Sequence, residues 1–347
     1  MIKTLIIIFF FSSNHLFSNS LDSIITYEDH FNIALGHYNF GRYKLAESEF
    51  KSIFIDRKNY SDPVSHLFLA KSQYFQNKII ECERTCNSFL KKYPKSKYEL
   101  NVRVLLSDIL IKQEQYSDVI EQLLLVRHET QDSIILADID YRILSSIMIG
   151  IRSSKIEKLL FSTENRINRS ILNLARSYRS LLDGHMNEME LSLSVVEHNS
   201  LPQQYKNLYT GLSRFIGSEN NNHGTVAVIL PLSGIDKIKG QTYLMGLSSM
   251  VADYQYDLST HFKIYDNNSD DINTVKILKK INLDRSVISV LGYLSEISNI
   301  AVASFSGSIP ILLSKSNYSE LPLISENIYL LSTSSEVQAK LSAQYVI

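Results

Sequence analysis

From residue 225 onward, short apolar runs alternate with stretches of helical period, and this alternation limits the fold more than any other feature of the chain. The runs occupy 226–230, 262–265, 287–291 and 309–313, with 327–331 a weaker fifth. A short continuous apolar run bounded by turn residues suits a strand buried on both faces of a parallel sheet. Between the first four, 241–256, 271–283 and 295–306 carry helical periodicity. Strand and helix in strict alternation predict βαβ units with right-handed crossovers and a doubly wound parallel sheet.

Upstream, 24–218 is helical in pattern and repeats itself. Ala34…Gly41-x-Tyr43-x-x-Ala46-x-x-x-Phe50 aligns with Ala70…Asn77-x-Ile79-x-x-Cys82-x-x-x-Cys86 and with Ser107…Glu114-x-Tyr116-x-x-Val119-x-x-x-Leu123. Ala46, Cys82 and Val119 are 36 and 37 residues apart. Small residues at such positions let two helices of a hairpin cross closely, while the larger ones fill the groove against the next hairpin. Asp62-Pro63 reads as an N-cap followed by proline at the first helical position. Pro94 falls at a repeat end, and Ser96-x-x-Glu99 reads as a capping box. These residues resemble tetratricopeptide repeats, whose period is about 34, over 31–130. A further pair from Leu174-Ala175-x-x-Tyr178 to about His198 is a weaker copy. The alternative is a helical bundle with accidental spacing. Cys82 and Cys86 stand at i and i+4 on one helix face, where core packing is expected. A redox role or an intermolecular contact are the alternatives.

The sheet-forming segment resembles the N-terminal lobe of type I periplasmic binding proteins, the leucine/isoleucine/valine-binding family. The matching stretches are Pro231-Leu232-Ser233-Gly234 with Gly240 and Gly246, Tyr265-Asp266-Asn267-Asn268-Ser269-Asp270, Leu291-Gly292-Tyr293-Leu294-Ser295, Ile309-Pro310-Ile311-Leu312-Leu313-Ser314, and Ser335-Glu336-Val337-Gln338-Ala339. Ligands of open α/β sheets lie beyond the carboxyl ends of the strands. Here the resemblance implies Ser233, Gly234, Tyr293, Ser295, Glu296, Lys315, Ser316 and Asn317 as ligand-binding positions, with a small ligand such as an amino acid. The family commonly has a hydroxyl where the alignment puts Glu296, and a threonine where it puts Asn317. A carboxylate at 296 repels an α-carboxylate, so either Ser295 takes the role or the lobe binds no amino acid. Ordinary solvated turns are the remaining reading of these loops. The family has two lobes, whereas this chain ends at Ile347 within a helix begun near Ser335 (Ser335-x-x-Gln338 reads as its capping box). The lobe is therefore expected to be incomplete, a fragment or truncation.

Residues 1–20 read as a secretory signal, with Lys3 ahead of an apolar core and Ser18-x-Ser20 as cleavage site. An uncleaved anchor and a buried strand or helix are the alternatives, and the lack of a nearby cysteine argues against a lipid anchor. The expected layout is signal peptide 1–20, repeats 24–200, a connecting helix and polar linker 201–224, and the lobe 225–347. With 347 residues, 44% of them hydrophobic, there is material for two or three domains. A formal net charge of −1 with both signs interleaved gives no reason to expect nucleic acid or an anionic membrane surface. The nine histidines form no zinc pattern, and neither a phosphate loop nor a nucleophile elbow occurs. No catalytic residue, metal or cofactor is expected.

The fold class expected is thus α plus α/β, an α-solenoid of tetratricopeptide-like hairpins followed by an incomplete type I periplasmic-binding lobe. Its layout is like that of the lipoprotein activators of penicillin-binding proteins. The function expected is an exported, non-enzymatic binding or scaffold protein of the cell envelope that docks a protein partner through its repeats. A periplasmic receptor of an ABC importer for branched-chain amino acids is the alternative.

Overall fold

Four times among the described residues, two helices are closed into a hairpin by one residue of left-handed backbone conformation. The computed structural model describes residues 27–56, 62–216, 224–253, 260–292, 294–316, 318 and 320–331. Hairpins form from α1 (Tyr27–Asn39) with α2 (Tyr43–Asp56) and from α3 (Pro63–Phe75) with α4 (Ile79–Lys92). A third joins α5 (Glu99–Lys112) to α6 (Tyr116–Glu129). Then come α7 (Ser133–Gly150), α8 (Ser153–Ser162), the hairpin of α9 (Arg166–Leu182) with α10 (Met186–Ser194), and α11 (Gln203–Ser213). The left-handed residues are Gly41, Asn77, Glu114 and Gly184, at φ 72°, 58°, 59° and 76°. Each occupies the same place in its turn, so the repeat spacing is a spacing of turns. Glycine adopts this conformation without steric cost and asparagine tolerates it, whereas glutamate is held there by the surrounding turn. Ala46, Cys82 and Val119 are all fully buried, as the alignment requires.

The chain divides into compact units of residues 1–99 and 100–347. In the first, Ala34, Ala46, Phe50, Ile53 and Leu69 form the core, with Phe31, Tyr38, Phe54 and Phe68 packed around them. Asp62 caps α3 as its sequence predicts, its carboxylate accepting from the amides of Val64 and Ser65 at 3.1 and 3.0 Å. Around the Ser96-x-x-Glu99 pattern, Ser96 Oγ accepts from the Tyr98 amide and the Glu99 carboxylate from that of Lys95, while α5 itself starts at Glu99. Cys82 and Cys86 are free and buried, and the Cys82 thiol donates to the Ala70 carbonyl. The adjacent Cys82 and burial push the Cys86 thiol far up, so it stays protonated and unreactive.

In the second unit, a buried ion pair fixes four helices. Arg127 of α6 donates through Nε to Asp140 of α7 at 2.6 Å, and through Nη1 to the Asn168 oxygen of α9 at 3.3 Å. Asn168 donates in turn to the Leu124 carbonyl, and the Tyr205 hydroxyl of α11 to the Asp140 carboxylate at 3.2 Å.

The same unit carries the sheet. Its strands are β1 (Thr225–Leu230), β2 (His261–Asp266), β3 (Val287–Gly292), β4 (Ile311–Leu313) and β5 (Ile328–Leu330), all parallel in the order β2-β1-β3-β4-β5. Crossover helices are α12 (Lys237–Asp253), α13 (Asp271–Ile281) and α14 (Glu296–Phe305), and one turn, α15 (Leu321–Ile324), precedes β5. Ala227 and Ile229 of β1 pack with Leu278 and Ile281 of α13 and with Val302 and Ala303 of α14. Strand alternation turns Val226, Val228 and Leu230 to the other face, where α12 packs on β1. That double burial is why the strand reads as an unbroken apolar run. All five predicted strands are present, and the fold is α plus α/β. α11 joins the helical stretch to the lobe, packing on α12 with Gly211 against Ala252. Phe262 donates its amide to the Arg214 carbonyl at 2.9 Å, and Gln241 and Lys237 both reach Asp183. The signal segment 1–20, most of the linker and the 335–339 motif lie outside the described residues.

Two checks follow from this packing. A Cβ at Gly240 would lie 2.3 Å from the Pro231 carbonyl oxygen, whereas nothing lies within 4 Å at Gly246. Gly240→Ala should therefore lower the melting temperature. Gly246→Ala should stabilise by about 0.8–1 kcal/mol from helix propensity alone, and thermal melts of the two variants compare them directly.

In the first unit, Glu47 is buried, which alone would raise its pKa. Hydrogen bonds from Lys51, Lys78 and Gln76 outweigh that and hold it at about 2. His66, among the rings of Phe54, Phe89 and Tyr93, is lowered to about 4, by burial first and Lys92 second, against an opposing effect of Asp62. Both groups bind protons more readily unfolded than folded, so each loses stabilisation as the pH falls. The His66 contribution should disappear between its ordinary 6.5 and about 4, and that of Glu47 between 4.5 and about 2. Denaturant unfolding at stepped pH should show the upper part flattened in His66→Phe and the lower part in Glu47→Gln.

Candidate functional site

The crossover that leaves β1 runs to β2 on one side and the one that leaves neighbouring β3 runs to β4 on the other, so a crevice opens beyond the carboxyl ends of β1 and β3. It holds a cavity of about 300 Å³ lined by Pro231, Asp236, Lys239, Asn267, Ser269, Asp271, Leu294, Ser295, Glu296, Ser298 and Lys315. Four loops contribute, one after each of the first four strands, as the parallel topology dictates.

The first two loops are knitted together. Asp266 at the end of β2 accepts from the amides of Leu232, Ser233 and Asn268 at 2.9, 3.2 and 2.8 Å, and from the Ser233 hydroxyl. Gly234 has φ 80°, and a Cβ there would meet the Asn268 carbonyl oxygen at 2.6 Å. The Pro-Leu-Ser-Gly turn thus owes its residues to the neighbouring loop. Ser269 completes the junction by donating to the Ser233 carbonyl at 2.8 Å and accepting from the Asp236 amide at 3.0 Å.

Hydroxyls of the third and fourth connections hold the carboxylates of Asp271 and Glu296. Ser295 caps α14 by accepting from the Ser298 amide, and its hydroxyl donates to Asp271 of α13. The Ser298 hydroxyl donates to the same Asp271 oxygen. Ser316 donates to Glu296 Oε2 at 3.0 Å and accepts from the Tyr318 amide at 3.0 Å. Lys239 pairs with Asp236 at 2.7 Å. The Lys315 carbonyl accepts from Asn299 at 3.0 Å, and its ammonium makes no ion pair among the described residues. Three carboxylates and two lysines therefore share the cavity wall.

Of the positions the sequence singles out, Ser295, Glu296 and Lys315 line the cavity, with Ser316 directly behind Glu296. Ser233 and Gly234 belong to the knitted pair of loops and not to the wall. Tyr293 and Asn317 lie outside the described residues. Sequence reasoning missed Asp236, Lys239, Asp271 and Ser298. The signal for Asp271 was an acid in the first helical turn after a strand, directly behind the N-cap Asp270. Among the described residues, no group of three His, Cys, Asp or Glu side chains is placed to hold a metal ion, and no helix is long and apolar enough to cross a membrane.

No protein-family model and no curated protein matches the chain. Among solved structures, full-length LpoA from Haemophilus influenzae aligns at 11% identity over 88% of this chain and 56% of that one, with a TM-score of 0.34. A monoclinic form of the same protein aligns at 11% identity over 88% and 55%, with a TM-score of 0.35. The chain spans little more than half the length of these structures. At that level of likeness, function has to be argued from the residues of this chain.

The Asp266 junction can be tested directly. Hydrogen bonds to a charged acceptor contribute about 1.5–3 kcal/mol. Asp266→Ala should therefore destabilise by about 2 kcal/mol and speed hydrogen exchange at the Leu232 and Ser233 amides, as seen by mass spectrometry.

Proposed function

We infer that this chain is an exported, non-enzymatic binding or scaffold protein of the cell envelope. Its helical hairpins dock a protein partner, and its parallel-sheet lobe acts as a surface and not as a receptor for amino acids. One observation carries the reading: the hydroxyls that would receive a ligand carboxylate already donate to the protein's own. Ser295 and Ser298 are engaged by Asp271, and Ser316 by Glu296. An α-carboxylate entering the cavity finds these hydroxyls engaged and meets the charges of Asp271, Glu296 and Asp236, with the Lys315 ammonium as the one unpaired cation among the described residues of the wall. Like charges about 4 Å apart near a protein surface repel by about 4 kcal/mol, a penalty that the Lys315 ammonium offsets only in part.

The helical half supports the partner side of this reading. Hairpins recurring every 36 or 37 residues, with left-handed turns in register, fit tetratricopeptide-like repeats, and such repeats present extended surfaces to peptides and proteins. The lobe that follows fits the first half of a type I periplasmic-binding fold in strand order and crossover pattern. That succession is the layout of the penicillin-binding-protein activators, so a penicillin-binding protein is the first partner to test. The apolar core and small-residue cleavage site within 1–20 support export.

Calorimetric titration with leucine, isoleucine and valine tests the reading. No saturable heat is expected at up to millimolar ligand. A dissociation constant in the micromolar range or below would overturn it and restore the importer receptor.

A further inference from the structure

We propose that the helical half carries a docking pocket between α6, α8 and the start of α9, shaped for a partner segment that presents an apolar side chain flanked by lysine or arginine. This rests on the scaffold reading above and names where the partner sits. The pocket encloses about 500 Å³, within the range of known binding clefts. Its apolar wall is Leu124, Leu125 and Leu159, and Leu125 stands 47% exposed. Asn168 closes the back. Its amide donates to the Leu124 carbonyl at 3.0 Å and its oxygen accepts from Arg127 at 3.3 Å. The buried ion pair therefore holds this wall in place before anything binds, which lowers the ordering cost of docking.

Charge selects the occupant. Glu121 and Glu164 line the pocket, and no lysine or arginine does. Glu121 is already bound to Lys155, whereas Glu164 makes no ion pair among the described residues. Asn165, at the head of α9, takes up the Asn168 amide with its side chain, so that helix start is capped from within. An ammonium or guanidinium group beside an inserted apolar side chain satisfies Glu164. An acidic segment meets the Glu164 carboxylate instead of a cation.

The test uses two peptides on the full chain, acetyl-Leu-Arg-Leu-Lys-amide and acetyl-Leu-Glu-Leu-Glu-amide, titrated by calorimetry. The basic peptide should bind saturably at one site and the acidic one at least tenfold more weakly. Glu164→Lys should weaken the basic peptide at least tenfold with an unchanged thermal melt, and Glu164→Gln by less. Equal binding of the two peptides, no binding of the basic one, or indifference to Glu164→Lys would each overturn the proposal. A photocrosslinking residue placed at Leu125 or at the exposed Phe40 separates the two levels of inference. Protein adducts at Phe40 alone overturn the pocket and leave the scaffold reading standing. Adducts at neither site, with tight leucine binding, overturn the scaffold reading itself.

Discussion

The Arg127–Asp140 ion pair is the interaction on which the arrangement of α6, α7, α9 and α11 depends. Both side chains are removed from water, and the desolvation cost of such a pair is several kcal/mol per ion. It is met only if the remaining donors and acceptors are satisfied in good geometry. Asn168 from α9 and Tyr205 from α11 supply that geometry. Burial, and then the nearby Asp140, raise the Tyr205 hydroxyl well above its ordinary pKa, so it remains a donor at any physiological pH. Apolar packing alone tolerates several helix arrangements, while a network with directional bonds to four elements tolerates far fewer. Removing one partner of such a pair typically costs about 3–5 kcal/mol because the other charge is left stranded. α11 carries the constraint onward, because it packs on α12, the helix that covers one face of the sheet.

The first unit solves the same problem with charges nearer the surface. Glu47 draws Lys51 along its own helix and Lys78 and Gln76 across the hairpin turn, so one carboxylate ties α2 to the junction of α3 and α4. Aromatic rings do the rest. Phe31, Phe50 and Phe68 meet edge-on or stacked at 5.9–6.4 Å between centroids. The two cysteines are buried small side chains of the α3–α4 hairpin, the Cys82 thiol donating to the Ala70 carbonyl.

Strands and hairpins were legible in the sequence because their signals are local. An apolar run such as 226–230, closed by Pro231, can hardly be anything but a buried strand. A turn that needs left-handed backbone at Gly41 recurs at Asn77 and Glu114, 36 and 37 residues on. The single turn of α15 escaped notice, being too short to show a period. The contacts that join distant segments were not legible. Nothing in the spacing of Arg127, Asp140 and Tyr205 announces that they meet, since each is simply a polar residue on an otherwise apolar face. The site was half visible. Ser295, Glu296 and Lys315 follow from the topology, since loops at the carboxyl ends of parallel strands must converge. That Asp271 turns into the Ser295 and Ser298 hydroxyls depends on how α13 and α14 lie side by side, which no local pattern encodes.

Asp271 can be seen as a ligand tethered to its own binding site. A group held by a short covalent connection presents itself at an effective concentration of millimolar or more, and here a folded helix holds it in place without further ordering. On the scaffold reading, a free carboxylate at micromolar levels would compete against that tether and lose by mass action. One side of the crevice is thus a joint between α13 and α14, closed by Asp271 on the Ser295 and Ser298 hydroxyls.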